Sequence, residues 1–516
     1  MSSNSKKQIG SKMVSKLKKI NDNTEKSGMS PIFSRLAYIY LAVPFLIFVF
    51  GWFRLPLALI CSAVIIVGLY FAMLYAPSLD IPRINKQNIP KIICAVILAV
   101  VWVYMSGIGG YAYQNYDHMW RNAILETLVD SNWPVYVNDT APFFENPVAM
   151  IYYFAFWLPA AWFGKHFGIA AAYKFLFIWA VVGVLLIFCM ISAFHKKMAL
   201  PMMIAFIFFS GLDTVGAFIY TNSADYTWFN TLHMENWAPG FQISSMTTQL
   251  FWVFNQAIPA WLITLLIMHQ KDNRSLVFIY SFSLLFCTLP AVGLIPFVAY
   301  FFIKRCVKLW NKKAEIKENC IVLLKDIMTF QNIAAGGIIG ITSYLFLKSN
   351  ATGNQGFEYT EIKKFLMPYL MTVFFEFLIY HILIYKKQSK NGLYYVSMAT
   401  LLVVPLIRVG PHVDFVMRAS IPALVVLFVL VMDSLYSYLK EKNFIISGVI
   451  ILTLALGGLT AQHEIMRTIV CTTNSATDPS VPLKATEIDL FQDGARGNFF
   501  GEYEDSFFFN HIAKKP

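Results

Sequence analysis

The chain has 516 residues, of which 57% are hydrophobic and only 14% are charged. Soluble domains carry about twice that charged fraction, so the composition excludes a soluble globular protein and predicts a polytopic membrane protein in a lipid bilayer. The formal net charge of +12 does not indicate a nucleic-acid partner, because the lysines and arginines lie in short clusters between apolar runs, as in the cytoplasmic loops of membrane proteins.

Residues 1–34 are rich in Ser, Asn and Lys and predict a disordered cytoplasmic tail. Beyond them, a hydrocarbon core about 30 Å thick requires roughly 17 to 25 apolar residues per helix. This length predicts an all-α transmembrane domain over residues 35–464 with about thirteen transmembrane helices. An extracytoplasmic C-terminal segment, 465–516, follows it. The predicted spans are 36–53, 56–76, 92–109, 175–194, 202–220, 250–268, 276–287, 291–303, 327–347, 366–385, 393–407, 419–439 and 444–460.

One further apolar segment, 148–164, is long enough to cross the membrane, and the distribution of positive charge decides against it. If this segment lies in the interface, the basic clusters after residues 194, 270, 303, 385 and 439 all fall on the side of the basic N-terminus. We therefore predict two interfacial helices, 117–129 and 148–164, in a first outer loop, 110–174. The N-terminus is then cytoplasmic, the C-terminus is extracytoplasmic, and most polar loop sequence faces outward.

The first outer loop presents Asp117 and Arg121, which are four residues apart and share a helix face. An acid directly after a span, at the start of an amphipathic helix, is placed to meet a lipid headgroup. The alternative is an ordinary surface ion pair that caps this helix.

The second outer loop holds acidic, aromatic and histidine side chains. Asp225, Tyr226 and Trp237 are candidates for substrate binding, because aromatic rings stack on sugars. His233 and Glu235 are candidate ligands for a divalent metal ion, although two ligands need a contribution from another loop. The alternative is an interfacial aromatic belt.

Two acids lie inside or at the end of predicted spans. Asp213 is near the outer end of its span and Glu376 is in the middle of another. Because a charge at such depth costs at least ~2.5 to 3.5 kcal/mol, each is expected to face a cavity or a partner. We expect Asp213 to contribute to a substrate cavity.

A short outer loop, 408–418, brings two arginines, a histidine and an acid to the interface. The planar guanidinium suits phosphate oxygens, so Arg408, His412 and Arg418 form a candidate phosphate site with Asp414 as a substrate-binding residue. The alternative is that either arginine extends to lipid headgroups.

The arrangement resembles the GT-C class of membrane glycosyltransferases. The resemblance lies in the acid Asp117 at the start of the first long outer loop, two following interfacial helices, a bundle with small inner loops and an outer C-terminal segment. Two features depart from that class: His118 stands where protein O-mannosyltransferases carry a second acid, and spans 36–53 and 56–76 form an additional hairpin.

The resemblance implies a glycosyltransferase in a bacterial plasma membrane. The donor would be a sugar on a polyprenyl phosphate, and the acceptor would be a hydroxyl of a cell-envelope glycan, lipid or protein. Asp117 would be the general base of an inverting transfer, and Arg121 would join Arg408 and Arg418 at the donor phosphate. Two alternatives stay open: a polysaccharide polymerase or ligase, and a non-enzymatic transporter or flippase of lipid-linked sugars.

Overall fold

The computed structural model describes residues 29–81, 86–137, 147–196, 199–221, 233–310, 316–350, 357–360, 362–409, 413–478, 482–490 and 498–516. Apolar runs become helices because a backbone in lipid must satisfy its own polar groups. Within these residues the helices, numbered α1 to α19 in chain order, are Ile32–Trp52, Leu55–Leu74, Ile89–Met105, His118–Asp130, Leu158–Phe167, Ile169–Ser192, Ala199–Ile207, Asp213–Thr221, Met246–His269, Leu276–Phe286, Thr288–Trp310, Ile316–Ile327, Gly336–Leu347, Ile362–Thr372, Ile379–Gln388, Gly392–Val403, Asp414–Ala419, Ile421–Lys440 and Phe444–Thr477.

Eight helices of the described chain are long and apolar enough to cross a membrane, or nine if the bent pair Asn319–Ile327 and Gln331–Leu347 is one span. The chain is therefore a helical, multi-pass membrane protein. The prediction of about thirteen spans exceeds this number because several apolar runs form shorter helices. Ile89–Met105, Leu276–Phe286 and Gly392–Leu406 are such shorter apolar helices, and the predicted span 202–220 is divided into α7 and α8.

Short strands join the loops at the two ends of the helical bundle. The described strands, β1 to β7, are Met29–Ser30, Leu79–Asp80, Tyr136–Val137, Val148–Met150, Phe357–Tyr359, Ile407–Val409 and Phe500–Glu502. Strands β1 and β2 pair antiparallel at one end, which we call the basic end. At the other end, which we call the site end, β4 lies between β3 and β7, and β5 pairs with β6.

Side-chain contacts follow the same division. At the basic end, Lys196 forms an ion pair with Asp80 of β2 at 2.8 Å, and His195 lies 2.8 Å from Asp433. The site end gathers the first long loop, the 408–418 loop and the C-terminal segment. The distribution of positive charge in the sequence predicts that the segments of the basic end and those of the site end lie on opposite faces of the membrane.

Segment 148–164 differs from the predicted interfacial helix. Its first residues form β4, which pairs with β7 so that Val148 faces Glu502 and Met150 faces Phe500. Phe154, Phe156 and Trp157 are fully buried in the protein core, so the apolar character of the segment reflects protein packing. Its longest helix, α5, has 10 residues, fewer than the roughly 17 needed to cross the hydrocarbon core. The first predicted interfacial helix, 117–129, corresponds closely to α4.

Both chain ends depart from the predicted boundaries. Residues 1–28 of the predicted tail lie outside the described residues, whereas residues 29–30 form β1 and α1 already begins at Ile32. Helix α19 has 34 residues, or about 51 Å at 1.5 Å per residue, so its last turns extend past a hydrocarbon core about 30 Å thick. The chain then packs back on the site end, where Phe508 and Phe509 are buried.

Candidate functional site

The site is organised around α9, which is buried along nearly its whole length. This helix carries the fully buried side chains of Gln249, Asn255 and Gln256 within an otherwise apolar sequence. Val253 has non-helical backbone angles, φ −136° and ψ 37°. Just before this kink, the carbonyl of Phe251 accepts a hydrogen bond from the Asn115 side chain at 2.9 Å. The kink thus lies where loop side chains meet the helix backbone.

Asp117 and Arg121 form the ion pair that their spacing predicts, with 2.8 Å between Oδ2 and Nη2. Arg121 also donates to Asn255 Oδ1 at 3.1 Å and to the carbonyl of Trp252. Its side chain is only 6% exposed, while that of Asp117 is 31% exposed. The alternative of an ordinary surface ion pair is therefore wrong for Arg121, which is held inside the protein with an open carboxylate beside it.

Arg418 belongs to another helix, α17. It forms an ion pair with Asp414 at 3.1 Å. Burial lowers the pKa of Arg418, but the acidic groups around it, Asp414 first and Asp117 among the others, outweigh burial and raise that pKa. Arg418 is therefore within electrostatic reach of Asp117, although the two residues are far apart in sequence.

Several buried donors of this cluster are unpaired within the described part of the chain. They are Nε of Arg121, Nε of Arg418 and Nδ2 of Asn255. Buried polar groups in folded proteins usually have partners, so unpaired donors near one another are a feature that a ligand can explain. Two guanidinium groups and an amide offer hydrogen-bond donors to an anion.

His118 stands next to Asp117 but carries no charge. Burial first, and the charge of Arg121 second, lower its pKa to about 3. Its Nε2 lies 3.0 Å from the carbonyl of Ser106, so Nε2 holds the proton and donates. His118 therefore fixes the start of α4 and does not replace the second acid of the O-mannosyltransferase pattern.

Trp252 connects this cluster to a second one. Its carbonyl accepts from Arg121, and its indole Nε1 donates to Glu464 Oε2 at 3.0 Å. His233 stacks on the indole with 5.0 Å between ring centroids, and the Arg467 guanidinium lies 5.2 Å from the centroid of the indole. Glu464 forms an ion pair with Arg467 and lies 3.2 Å from His233 Nδ1. The second cluster is thus a buried charge network built around one tryptophan.

The two candidate metal ligands belong to this second cluster and already have protein partners. Glu235 Oε1 accepts from the Ser245 N–H at 2.9 Å and Oε2 accepts from Gln242 at 3.1 Å. His233 Nε2 lies 3.8 Å from Glu235 Oε2. Within the described ranges, no three His, Cys, Asp or Glu side chains form a group that could hold a metal ion. The described residues therefore do not complete the predicted metal site.

Burial raises the pKa of Glu235 above its ordinary value. Burial lowers the pKa of His233, but the carboxylates of Glu464 and Glu235 outweigh it and the net direction is upward. Both groups therefore hold a proton to higher pH than the same side chains in water.

Asp213 is stabilised by partners and is only 1% exposed. It accepts hydrogen bonds from Trp237 Nε1 at 3.2 Å, Ser210 at 3.0 Å and Thr460 at 2.9 Å. Asp213 thus faces the partners that a buried acid requires, and the indole N–H of Trp237 is used in one of these hydrogen bonds. The role of Asp213 at a substrate cavity stays a prediction. Glu376 packs nearby against Gly211, where a Cβ would lie 1.9 Å from Glu376 Oε2.

The remaining predicted residues fall elsewhere. Arg408 lies in β6, opposite Glu358 in the backbone register of β5. Asp225, Tyr226 and His412 lie outside the described residues. Sequence analysis missed Trp252, Asn255, Glu464 and Arg467. Asn255 could have been predicted from the sequence, because it is one of the few polar residues within the apolar run 250–268.

No protein-family model, curated protein or solved structure matches this chain.

Proposed function

We propose that this chain is a membrane glycosyltransferase that moves a sugar from a polyprenyl-phosphate donor to a hydroxyl group of a cell-envelope acceptor. The observation that carries the proposal is a set of groups at the site end: a partly exposed carboxylate, Asp117, paired with the buried Arg121, and the largely buried Arg418, whose pKa the Asp117 charge raises. Each arginine has a buried Nε–H without a partner among the described residues. The carboxylate can accept a proton, and the arginines can bind the phosphate that leaves.

In the proposed reaction the acceptor oxygen attacks the anomeric carbon of the donor sugar. Its proton passes to Asp117, the new carbon–oxygen bond forms, and the bond from the sugar to the phosphate oxygen breaks. The polyprenyl phosphate leaves with the bonding electrons and becomes a phosphate monoester. This single displacement inverts the anomeric centre and requires no covalent sugar–enzyme intermediate. General base catalysis of this kind contributes about 10²- to 10⁴-fold to the rate.

Arginine suits the departing phosphate because its guanidinium is permanently charged and presents several donors in one plane. Asp117, Asn255 and the Trp252 carbonyl accept hydrogen bonds from three of the five N–H groups of Arg121 and hold the guanidinium in place, so its Nε–H is oriented before a ligand arrives. A preorganised donor set stabilises developing charge without reorganising when the reaction occurs. The guanidinium groups supply the positive charge for this step.

The proposed site faces the outside of a bacterial plasma membrane. This placement follows the positive-inside rule, which puts the basic end with β1 and β2 in the cytoplasm. A donor carried on a membrane lipid would meet the site where α4 begins, just after the end of α3. The resemblance to GT-C enzymes supports the same placement of the catalytic acid.

The test uses purified protein in proteoliposomes with a series of radiolabelled polyprenyl-phosphate sugars and a membrane extract as acceptor source. We expect wild-type protein to release polyprenyl phosphate from at least one donor and Asp117→Asn to do so at least 100-fold more slowly. Asp505→Asn is the matched control, because Asp505 is an exposed acid at the same end of the bundle, and it should match the wild type.

Release at the wild-type rate by Asp117→Asn would contradict the proposal. Movement of an intact fluorescent lipid-linked sugar across the bilayer, without release, would indicate a transporter. Transfer of a whole glycan chain that depends on Arg418 and not on Asp117 would indicate a polymerase or ligase.

A further inference from the structure

A groove of about 640 Å³ lies between α1 and α5, away from the Asp117 site. Its volume is within the range of about 300 to 1,000 Å³ that is usual for small-molecule sites. One wall is apolar and the other carries tryptophan and basic side chains. The lining residues are Val43, Leu46, Ile47, Phe50, Gly51, Asn132, Trp133, Trp162, Lys165, His166 and Lys514.

The apolar wall is the outer half of α1. Its side chains follow helical spacing, so they form a stripe that runs from the site end toward the middle of the bundle. Phe50 is 48% exposed and Trp162, across the groove, is 50% exposed. Large apolar side chains this exposed on a membrane-spanning helix are expected to meet lipid chains. Tryptophan at the end of such a stripe is typical of the headgroup level.

The rim of the groove is basic. Lys165 Nζ donates to the carbonyl of Val129 at 3.2 Å and to that of Ser131, and Lys514 Nζ donates to the carbonyl of Phe50 at 2.9 Å. Because an ammonium has three donors, Lys514 keeps two for a ligand and Lys165 keeps one. His166 adds an exposed imidazole beside them. The groove lining contains no Asp or Glu.

The two lysines at the rim of the groove are unusual for the outer face of a membrane protein. Loops on the outer face of a plasma membrane ordinarily carry few lysines, yet Lys165 and Lys514 come together at the site end from segments far apart in sequence. Burial lowers the pKa of each lysine, and for Lys165 the charge of Asp130 acts in the opposite direction. An anionic ligand would favour the charged form of both.

We infer that this groove binds an anionic phospholipid of the outer leaflet, with the phosphate between Lys165 and Lys514 and an acyl chain along α1. A soluble anion would leave the apolar wall uncovered, and a neutral lipid would bring no net negative charge to the remaining N–H donors of the two lysines. The complementary pattern of a basic rim and an apolar stripe therefore fits a lipid that carries a net negative charge.

This site is distinct from the proposed donor site. Helix α4 begins directly after Asp117 and ends beside Lys165, and its 13 residues span about 20 Å at 1.5 Å per residue. A phospholipid in the groove would hold the C-terminal end of α4, and with it Trp133, against α1. It would support the helix that carries Asp117 without touching the reacting atoms.

The experiment measures lipid retention by native mass spectrometry of the full-length protein extracted from vesicles of phosphatidylglycerol and phosphatidylcholine. We expect the wild type to retain phosphatidylglycerol in preference. An exposed lysine near anionic lipid contributes about 1 kcal/mol, or roughly fivefold in affinity. Lys514→Gln is therefore expected to weaken phosphatidylglycerol retention about fivefold, and Lys165→Gln with Lys514→Gln about twenty-five-fold.

Lys348→Gln is the matched control, because Lys348 is an exposed lysine at the same end of the bundle that does not line the groove. It should retain phosphatidylglycerol as the wild type does. The single Lys514→Gln variant keeps the test informative if loss of the Lys165 hydrogen bonds disturbs α4. Equal retention of the two lipids by the wild type would overturn the inference, as would unchanged phosphatidylglycerol retention in the folded Lys514→Gln variant.

Discussion

Replacing Glu464 by Gln tests the buried charge network around Trp252. Glu464 is 1% exposed and meets three partners: Trp252 Nε1 at 3.0 Å, His233 Nδ1 at 3.2 Å and the Arg467 guanidinium. A glutamine can still accept from the indole, which preserves about 1 kcal/mol of hydrogen bonding. It removes the counter-charge of Arg467, however, whose side chain is only 8% exposed.

Leaving a buried charge without its partner costs about 3 to 5 kcal/mol. The hydrogen bond that a glutamine keeps with the Trp252 indole offsets part of this cost, so we expect Glu464→Gln to lower the free energy of unfolding by about 2 to 4 kcal/mol. The assay is reversible unfolding in mixed micelles. Glu504→Gln, at an exposed acid, should change the free energy of unfolding by less than about 0.5 kcal/mol.

A double-mutant cycle separates the ion pair from general damage. Combined with Arg467→Met, the Glu464→Gln change should cost less than it does alone, with an interaction free energy of at least about 1 kcal/mol. Additive losses in the cycle, or a Glu464→Gln variant as stable as the wild type, would refute the reasoning.

Because burial raises the pKa of Glu235 in the folded protein, the folded state holds this proton longer, so stability falls as pH rises above the ordinary carboxyl pKa. A glutamine at this position does not titrate. Between pH 5 and pH 8, the free energy of unfolding of Glu235→Gln should therefore fall by about 1 to 3 kcal/mol less than that of the wild type. Gly211→Ala places a Cβ 1.9 Å from Glu376 Oε2 and should lower the unfolding free energy by about 1 to 3 kcal/mol, whereas Gly337→Ala, with nothing within 4 Å, should not. Arg418→Lys should raise the KM for the lipid-linked donor about tenfold through the loss of phosphate hydrogen bonds, and an unchanged KM would remove Arg418 from the donor site.

Local sequence signals predicted much of the fold. Hydropathy identified the long apolar helices, because the rise of an α-helix and the thickness of lipid set their length. The spacing of Asp117 and Arg121 predicted their ion pair, because residues four apart are neighbours on a helix. These predictions depend on residues close together in the chain.

Non-local pairing accounts for the predictions that were wrong. Segment 148–164 had the composition of an interfacial helix, but its partner strand Phe500–Glu502 comes from the C-terminal segment, and this pairing makes residues 148–150 a strand. Similarly, the contact of Arg121 with the Trp252 carbonyl depends on a kink at Val253 inside an apolar helix. Arg467 joins Trp252 only because α19 continues beyond the predicted end of its span.

The most direct measurement of the proposed catalytic role compares donor binding with sugar transfer in Asp117→Asn. The asparagine can keep a hydrogen bond to Arg121 through its carbonyl oxygen, so the buried arginine stays in place. We predict a Kd for the lipid-linked donor within about threefold of the wild-type value and a single-turnover rate of polyprenyl phosphate release at least 100-fold lower. A variant that releases polyprenyl phosphate at the wild-type rate would contradict the role of Asp117 as the general base.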